Sequence, residues 1–169
     1  WAFANNTSLN SVIRFAQNER NSFPEESGGP EFAVLRGVDQ RESEELTFGI
    51  KLNHQQTGDI RYDFSSNRFL RNEDTSSPGV APGVRDPFGI PANSFSNQYH
   101  RNNINLGSLI SLSKSIHTLI GIERQSENGS SDSVLTFGTF DIPGSFNFKR
   151  AKNSLYSEIQ YEPVSNMII

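Results

Sequence analysis

The sequence predicts an all-β chain: an antiparallel up-and-down meander, part of the wall of a transmembrane β-barrel with long extracellular loops. Three observations predict it. Apolar and polar side chains alternate with a period of two in segment after segment. Short polar turns alternate with long connections rich in glycine and proline. The hydrophobic fraction is only 34%, below the roughly 45–50% of an ordinary globular domain.

The clearest segment runs from Asn102 to Arg124. Ile104, Leu106, Ile110 and Leu112 share one parity, against Asn103, Asn105, Gly107 and Ser111. After Ser113-Lys114-Ser115 the pattern resumes, with Thr118, Ile120 and Ile122 against His117, Gly121 and Glu123. Two such strands around a short polar turn make an antiparallel hairpin.

The other elements follow in order. Leu9 to Gln17 reads as a strand, with Leu9, Ser11, Ile13 and Phe15 on one side. A long connection over residues 20–43 holds Pro24, Gly28, Gly29 and Pro30, with a short strand from Glu31 to Arg36 inside it. Glu44 to Asn53 carries Leu46, Phe48, Ile50 and Leu52 at every second position; a helix would need spacings of three and four. Ile60 to Arg71 carries Ile60, Tyr62 and Phe64. Residues 72–99 read as a second long connection, in which two Pro-Gly pairs favour type II turns and exclude a ladder strand. Residues 126–150 read as a third, with Asn128-Gly129 and Pro143-Gly144 as turn signals and a possible hairpin arm from Val134 to Phe140. Leu155 to Glu162 is the sixth strand, and Met167 opens a seventh.

Connections near Asn5, Thr57, Lys114 and Ser165 are short, and those between them are long. In a meander, successive turns fall at alternate ends. All short turns are therefore expected at one rim and all long loops at the other, the arrangement of outer-membrane barrels. On this reading Leu46, Phe48, Ile50, Leu52, Ile104, Leu106, Ile110, Leu112, Ile120, Ile122 and Ile159 face lipid. Glu45, Lys51, Arg61, Asp63, Asn103, Asn105, Glu123, Glu158 and Gln160 face the lumen. Tyr62 and Tyr161 fall near short turns, where aromatic girdles lie. The smallest such barrels have about eight strands, so six strands and the apolar run at Ile168-Ile169 read as a piece of a longer protein. No secretory leader is recognisable after Trp1.

Composition limits the alternatives. The net charge is -4, without blocks of one sign, so nucleic acid is not an expected partner. There is no cysteine, hence no disulfide framework or thiolate metal site. No apolar run approaches the roughly 18 residues of a membrane helix, but barrel strands need only about 9–11. His54, His100 and His117 lack ligand spacing, and no Gly-x-Ser-x-Gly or phosphate-cradling motif is present. Neither catalysis, nor a cofactor, nor a metal is expected.

The long-loop runs FPEESGGPEFAVLR and EDTSSPGVAPGVRDPFGIPANS, the run IGIERQSENGSSDSVLTFGTFDIPGSFNFKR and the segment NSLYSEIQYEPVSN resemble the barrel of a TonB-dependent outer-membrane receptor. The resemblance covers most of residues 1–169 as a partial barrel. It implies a bacterial outer-membrane location, a closed barrel of roughly 22 strands, and import of a siderophore, vitamin B12 or another scarce nutrient. The partners it implies are outer-membrane lipid, the imported small molecule, and TonB acting through a plug domain outside these residues. Arg85, Asp86, Phe88, Phe95 and Tyr99, read as one extracellular loop, mix charge with aromatic surface and are the candidate ligand contacts. Two other readings stand beside this one. A soluble β-sandwich binding a carbohydrate or protein would pack its apolar faces across two sheets. A hydrolase would need a converging nucleophile and base.

Overall fold

The computed structural model describes residues 2–4, 6–22, 34–35, 37–82 and 87–162. Among the described residues there are nine strands: β1 (Ala2–Ala4), β2 (Thr7–Ser22), β3 (Val34–Leu35), β4 (Asp39–Gln55), β5 (Ile60–Ser77), β6 (Val80–Ala81), β7 (Ala92–Ser113), β8 (Ile116–Phe137) and β9 (Phe140–Tyr161). Seven form one antiparallel meander in the order β1-β2-β4-β5-β7-β8-β9, and β3 pairs with β6.

The register shows why the alternation matters. Directly paired residues point to the same side of a sheet. One continuous cross-strand row reads Leu9, Leu52, Phe64, Leu106, Ile122, Leu155. The row beside it, on the opposite face, reads Asn10, Lys51, Ser65, Asn105, Glu123, Ser154. Every residue assigned to lipid from the sequence lies on the first face or, for Leu112 at a bulge, on its parity. Every residue assigned to the lumen lies on the other.

The apolar face is not a sealed core. Ile13, Leu106, Ile122 and Leu155 are 73%, 47%, 54% and 77% exposed, and Val80 alone is a buried hydrophobic among the described residues. A β-sandwich would cover this face with a second sheet; here the described strands make a single layer.

The apolar band occupies only part of each strand, and it slants. On β7 it runs from Ile104 to Leu112, about 27 Å along the strand and about 20 Å in height once tilted, near the roughly 25 Å of a barrel's apolar belt. Its upper edge falls from the Phe15 row on β2 to the Leu9 row, which holds Ile122, on β8. That is a drop of about six residues, ~20 Å, over four strand spacings, ~19 Å, giving a strand tilt of about 45°. The lower edge, from Thr7 on β2 to Ile116 on β8, falls by about four residues and gives about 35°. Both lie in the range for transmembrane barrels, roughly 35–45°. Tyr62 and Tyr161 mark the lower edge, 40% and 46% exposed.

Beyond the band the strands continue with a largely polar outer face and an inner face that mixes polar residues with aromatic rings. β2 extends about seven residues past Phe15, and β8 about fifteen past Ile122, so the wall rises ~20 to ~50 Å further along the strands. The sequence assigns much of this to loops. Residues 72–77 belong to β5 and 92–99 to β7, and residues 126–150 form no loop at all. There β8 and β9 pair without interruption to Phe137↔Phe140, closed by Gly138-Thr139. Gly138, at φ 62°, fills the first central position as a two-residue hairpin turn requires. Gly129 and Pro143-Gly144 are ladder residues, not turns.

This corrects the strict alternation of connection lengths. The short connections after β1, β4 and β7 do share one rim, where Gln55 N donates to Asn6 O at 2.7 Å and Ser111 N to Asp59 O at 2.8 Å. The compact turn at 138–139, however, shares the opposite rim with the two long connections. Those two are joined: Val34–Leu35 pairs with Val80–Ala81, so the Pro-Gly stretch does contribute a short strand. Val80 also exchanges backbone hydrogen bonds with Ile90 at 2.9 and 3.0 Å. Gly79 has φ 71°, the value a type II turn requires after Pro78. The strand expected from Met167 lies outside the described residues.

Candidate functional site

Above the apolar band, the inner face of β5, β7, β8 and β9 carries a cluster of rings and charges. Two adjacent inner rows build most of it, with Phe146 in the inner row above and Gln125 in the one below. One reads Arg14, Thr47, Phe69, Arg101, Glu127, Arg150; the next reads Ala16, Glu45, Arg71, Tyr99, Gly129, Phe148. At this height the outward neighbours are Gln98, Asn128 and Ser130, so the cluster stands clear of the band.

Four aromatic rings run across the strands. Phe69 and Tyr99 have centroids 6.0 Å apart, Tyr99 and Phe148 6.3 Å, and Phe148 and Phe146 6.1 Å. Arg101 lies 5.8 Å above the Phe69 ring, a cation–π distance. Phe148 reaches over Gly129, where a Cβ would meet its ring.

Glu127 is the electrostatic centre, 8% exposed. Its Oε1 accepts from Tyr99 Oη at 3.0 Å and Gln125 Nε2 at 2.7 Å. Its Oε2 accepts from Arg150 Nε at 3.1 Å and Nη2 at 2.6 Å. Hydrogen bonds from Gln125, Tyr99 and Arg150 hold the Glu127 carboxyl below the usual carboxylate range. Burial, then the adjacent carboxylate, pushes the Tyr99 phenol up. Further up the wall, burial pushes Glu73 upward, but the guanidinium groups of Arg41 and Arg71 together outweigh it and hold the acid low. Arg41 Nη2 stands 2.7 Å from Glu73, and Arg71 bonds the same oxygen.

An inner hollow of about 490 Å³ adjoins this wall, lined by Arg20, Arg41, Thr75, Val80 and Ile90. A larger one, about 700 Å³, opens away from the ring cluster among Glu42, Asp74, Asp132, Val134 and Pro143.

The candidate residues divide. Tyr99 is in the cluster, and Phe95 lies on the same inner face four residues higher on the strand, paired with Thr75 and Ser133. Both belong to β7 and not to a loop. Phe88 is 89% exposed in the connection before β7. Arg85 and Asp86 lie outside the described residues. The sequence reading missed Phe69, Glu127, Phe146, Phe148 and Arg150. Their signal was present: all share the lumenal parity of Asn105 and Glu123, which Phe69 carries within the expected strand Ile60 to Arg71 and the others carry through residues taken for loop.

No metal-holding group of three ligands occurs among the described residues. His54 Nδ1 pairs with Thr7 Oγ1 and His117 Nδ1 with Ser111 Oγ, each at 2.9 Å, beside the short turns.

No family model matches the chain, and no curated protein does. Solved structures do. The ferric-catecholate import receptor Fiu of E. coli K12 in its open form superposes with TM-score 0.57 at 14% identity, over 98% of this chain and 32% of that one. Its closed form gives 0.58 at 14%, over 97% and 29%. This chain thus spans about a third of the length of the receptors it matches. The likeness is one of fold: the meander follows the β-sheet wall of an import receptor.

Proposed function

We propose that the chain forms part of the barrel of a bacterial outer-membrane receptor that imports a scarce nutrient, driven by TonB through a plug domain. The observation that carries this reading is the slanted, one-sided apolar band. Its height and tilt fit a bilayer crossing, and its opposite face is mostly polar, with Val12, Leu109 and Leu119 as the apolar exceptions. Strands that continue past the band into a polar wall fit a receptor mouth.

The inner cluster supports a small-molecule cargo over an enzymatic role. Its acids are neutralised by arginines, its rings offer flat surface, and Arg14 and Arg20 add positive charge on the same face. A cargo both aromatic and anionic suits that wall; siderophore-iron complexes include such molecules, and vitamin B12 or a similar nutrient is the broader class. Tyr99 and Phe95 contact it from the wall, and Arg85, Asp86 and Phe88 from the connection before β7.

The test uses the full-length protein in outer membranes. These 169 residues hold no cysteine, so each introduced cysteine is the one thiol in this region. Leu106→Cys and Ile122→Cys resist a water-soluble thiol reagent, whereas Asn105→Cys and Glu123→Cys react. Equal reactivity on both parities rejects the barrel. Uptake of ferric siderophores that weakens on Tyr99→Ala supports the cargo class.

A further inference from the structure

The outward face also carries charge, and its placement is zoned. Below Arg68 and Arg124 no outward residue of the apolar band is charged, and on β5 Leu70, paired with Leu46, lies one step above Arg68. At the band's upper edge stand Arg68 on β5 and Arg124 on β8. Arg124 pairs with Ile104, and Arg68 with Phe48 and Asn102. His100 and Lys149 share an outward row one step higher. The carboxylates come above: Glu19, Glu42, Asp74 and Asp132 lie in one row, with Ser96 between the last two.

Inside the barrel, Arg41, Arg61, Arg71 and Arg150 all have carboxylate partners. Arg68, Arg124 and Lys149 have none among the described residues, and both arginines are exposed. Exposed guanidinium groups where apolar surface ends are free to pair with an external anion.

We propose that Arg68 and Arg124, with His100 and Lys149 above them, form a docking site for phosphate-bearing lipid headgroups of the outer leaflet. The proposal rests on the membrane reading above. Asn102 is the cross-strand neighbour of Arg68 and lies diagonally from Arg124, at ~5 and ~7 Å between Cβ atoms. Two long guanidinium side chains and an amide can therefore converge on one headgroup. Guanidinium matches phosphate oxygens in bidentate fashion. A hollow of about 450 Å³, lined by His100, Asn128, Asn147 and Lys149, opens directly above Asn102. Below, Ile104, Leu106 and Ile122 continue the same face as apolar surface, which acyl chains cover. Continuity of cation and apolar band selects a lipid over a free anion, and the row of acids above confines the headgroup to the border.

The experiment compares full-length wild type, the double variant Arg68→Gln/Arg124→Gln and the inner-face control Lys51→Gln. Each is reconstituted in phosphatidylcholine vesicles with and without phosphatidic acid, and the lipid retained after detergent extraction and gel filtration is measured. Wild type and Lys51→Gln enrich phosphatidic acid; the double variant loses that enrichment, by about five-fold for each cation removed. Insertion, read by heat-modifiable gel mobility, is equal in all three. A double variant that inserts and still enriches phosphatidic acid overturns the site. So does displacement of the lipid by inorganic phosphate at matching concentration, since the anion alone then suffices. Wild type that fails to insert overturns the membrane reading instead.

Discussion

Tyr156 lies across Gly121. The two residues pair directly between β9 and β8, and a Cβ at Gly121 would collide with the phenol's Oη and Cζ. The hydroxyl then reaches Asn105 Oδ1 on β7 at 3.0 Å. One inner-face side chain thus spans three strands, using a glycine as its seat.

Gly121→Ala therefore displaces Tyr156 and breaks its hydrogen bond. The expected loss is about 1–3 kcal/mol, read as a lower denaturant midpoint of the full-length protein in micelles. Gly121→Ala in a Tyr156→Ala background costs less than in wild type, because the collision is gone. Additive costs would show that the ring does not depend on the glycine.

Glu127→Gln removes the charge that Arg150 and Tyr99 share. Tyr99 then ionises at lower pH than in wild type, measured as tyrosinate absorbance against a Tyr99→Phe reference. An unchanged titration would exclude the Glu127 carboxylate as a cause of the raised phenol.

The same carboxylate sets an acid limit. Its folded-state pKa lies below the unfolded value, which for glutamate is about 4.3. Its stabilisation is complete above that value and fades as pH falls through the lower folded one. Ring-cluster fluorescence in wild type is expected to persist to about pH 4, and to lose its acid transition in Glu127→Gln.

Charge on the outward face is costly where charge on the inner face is not. Leu106→Lys is expected to cost about 2–4 kcal/mol, with Asn105→Lys near neutral. Folding yield into lipid vesicles separates them, and equal yields would contradict the assigned faces.

Gly79→Ala opens the Pro-Gly connection. The left-handed φ disfavours any Cβ, and an added one would collide with Ile90 O and crowd Ala92 N at 2.8 Å. Faster proteolysis near Pro78 than in wild type, with the barrel intact, is the expected result.

The faces were legible in the sequence wherever one of them is apolar. Leu46, Phe48, Ile50 and Leu52 share one parity, so the period of two is written plainly there. Past Arg71 or Ser126 both faces meet water, the constraint lapses, and Glu73 or Ser131 reads like loop. Asn128-Gly129 has the composition of a turn, yet Gly129 is needed flat beneath Phe148. Pro143 is tolerated because β9 is the last strand of the described sheet, where one set of ladder hydrogen bonds is unclaimed. The cluster around Glu127 was hidden for the same reason: its members are inner-face residues at or beyond the upper edge of the apolar band, where the outward face no longer marks the strand.

The slant of the band has a further consequence. The surface where oil meets water cuts diagonally through the hydrogen-bond ladder, so neighbours joined by the same rung can be solvated by different media. Ile104 and Arg124 are such a pair: on the membrane reading proposed above, one meets hydrocarbon and the other the ionic layer that caps it. A substitution moved one strand sideways along this sheet changes its dielectric surroundings as surely as one moved along the chain.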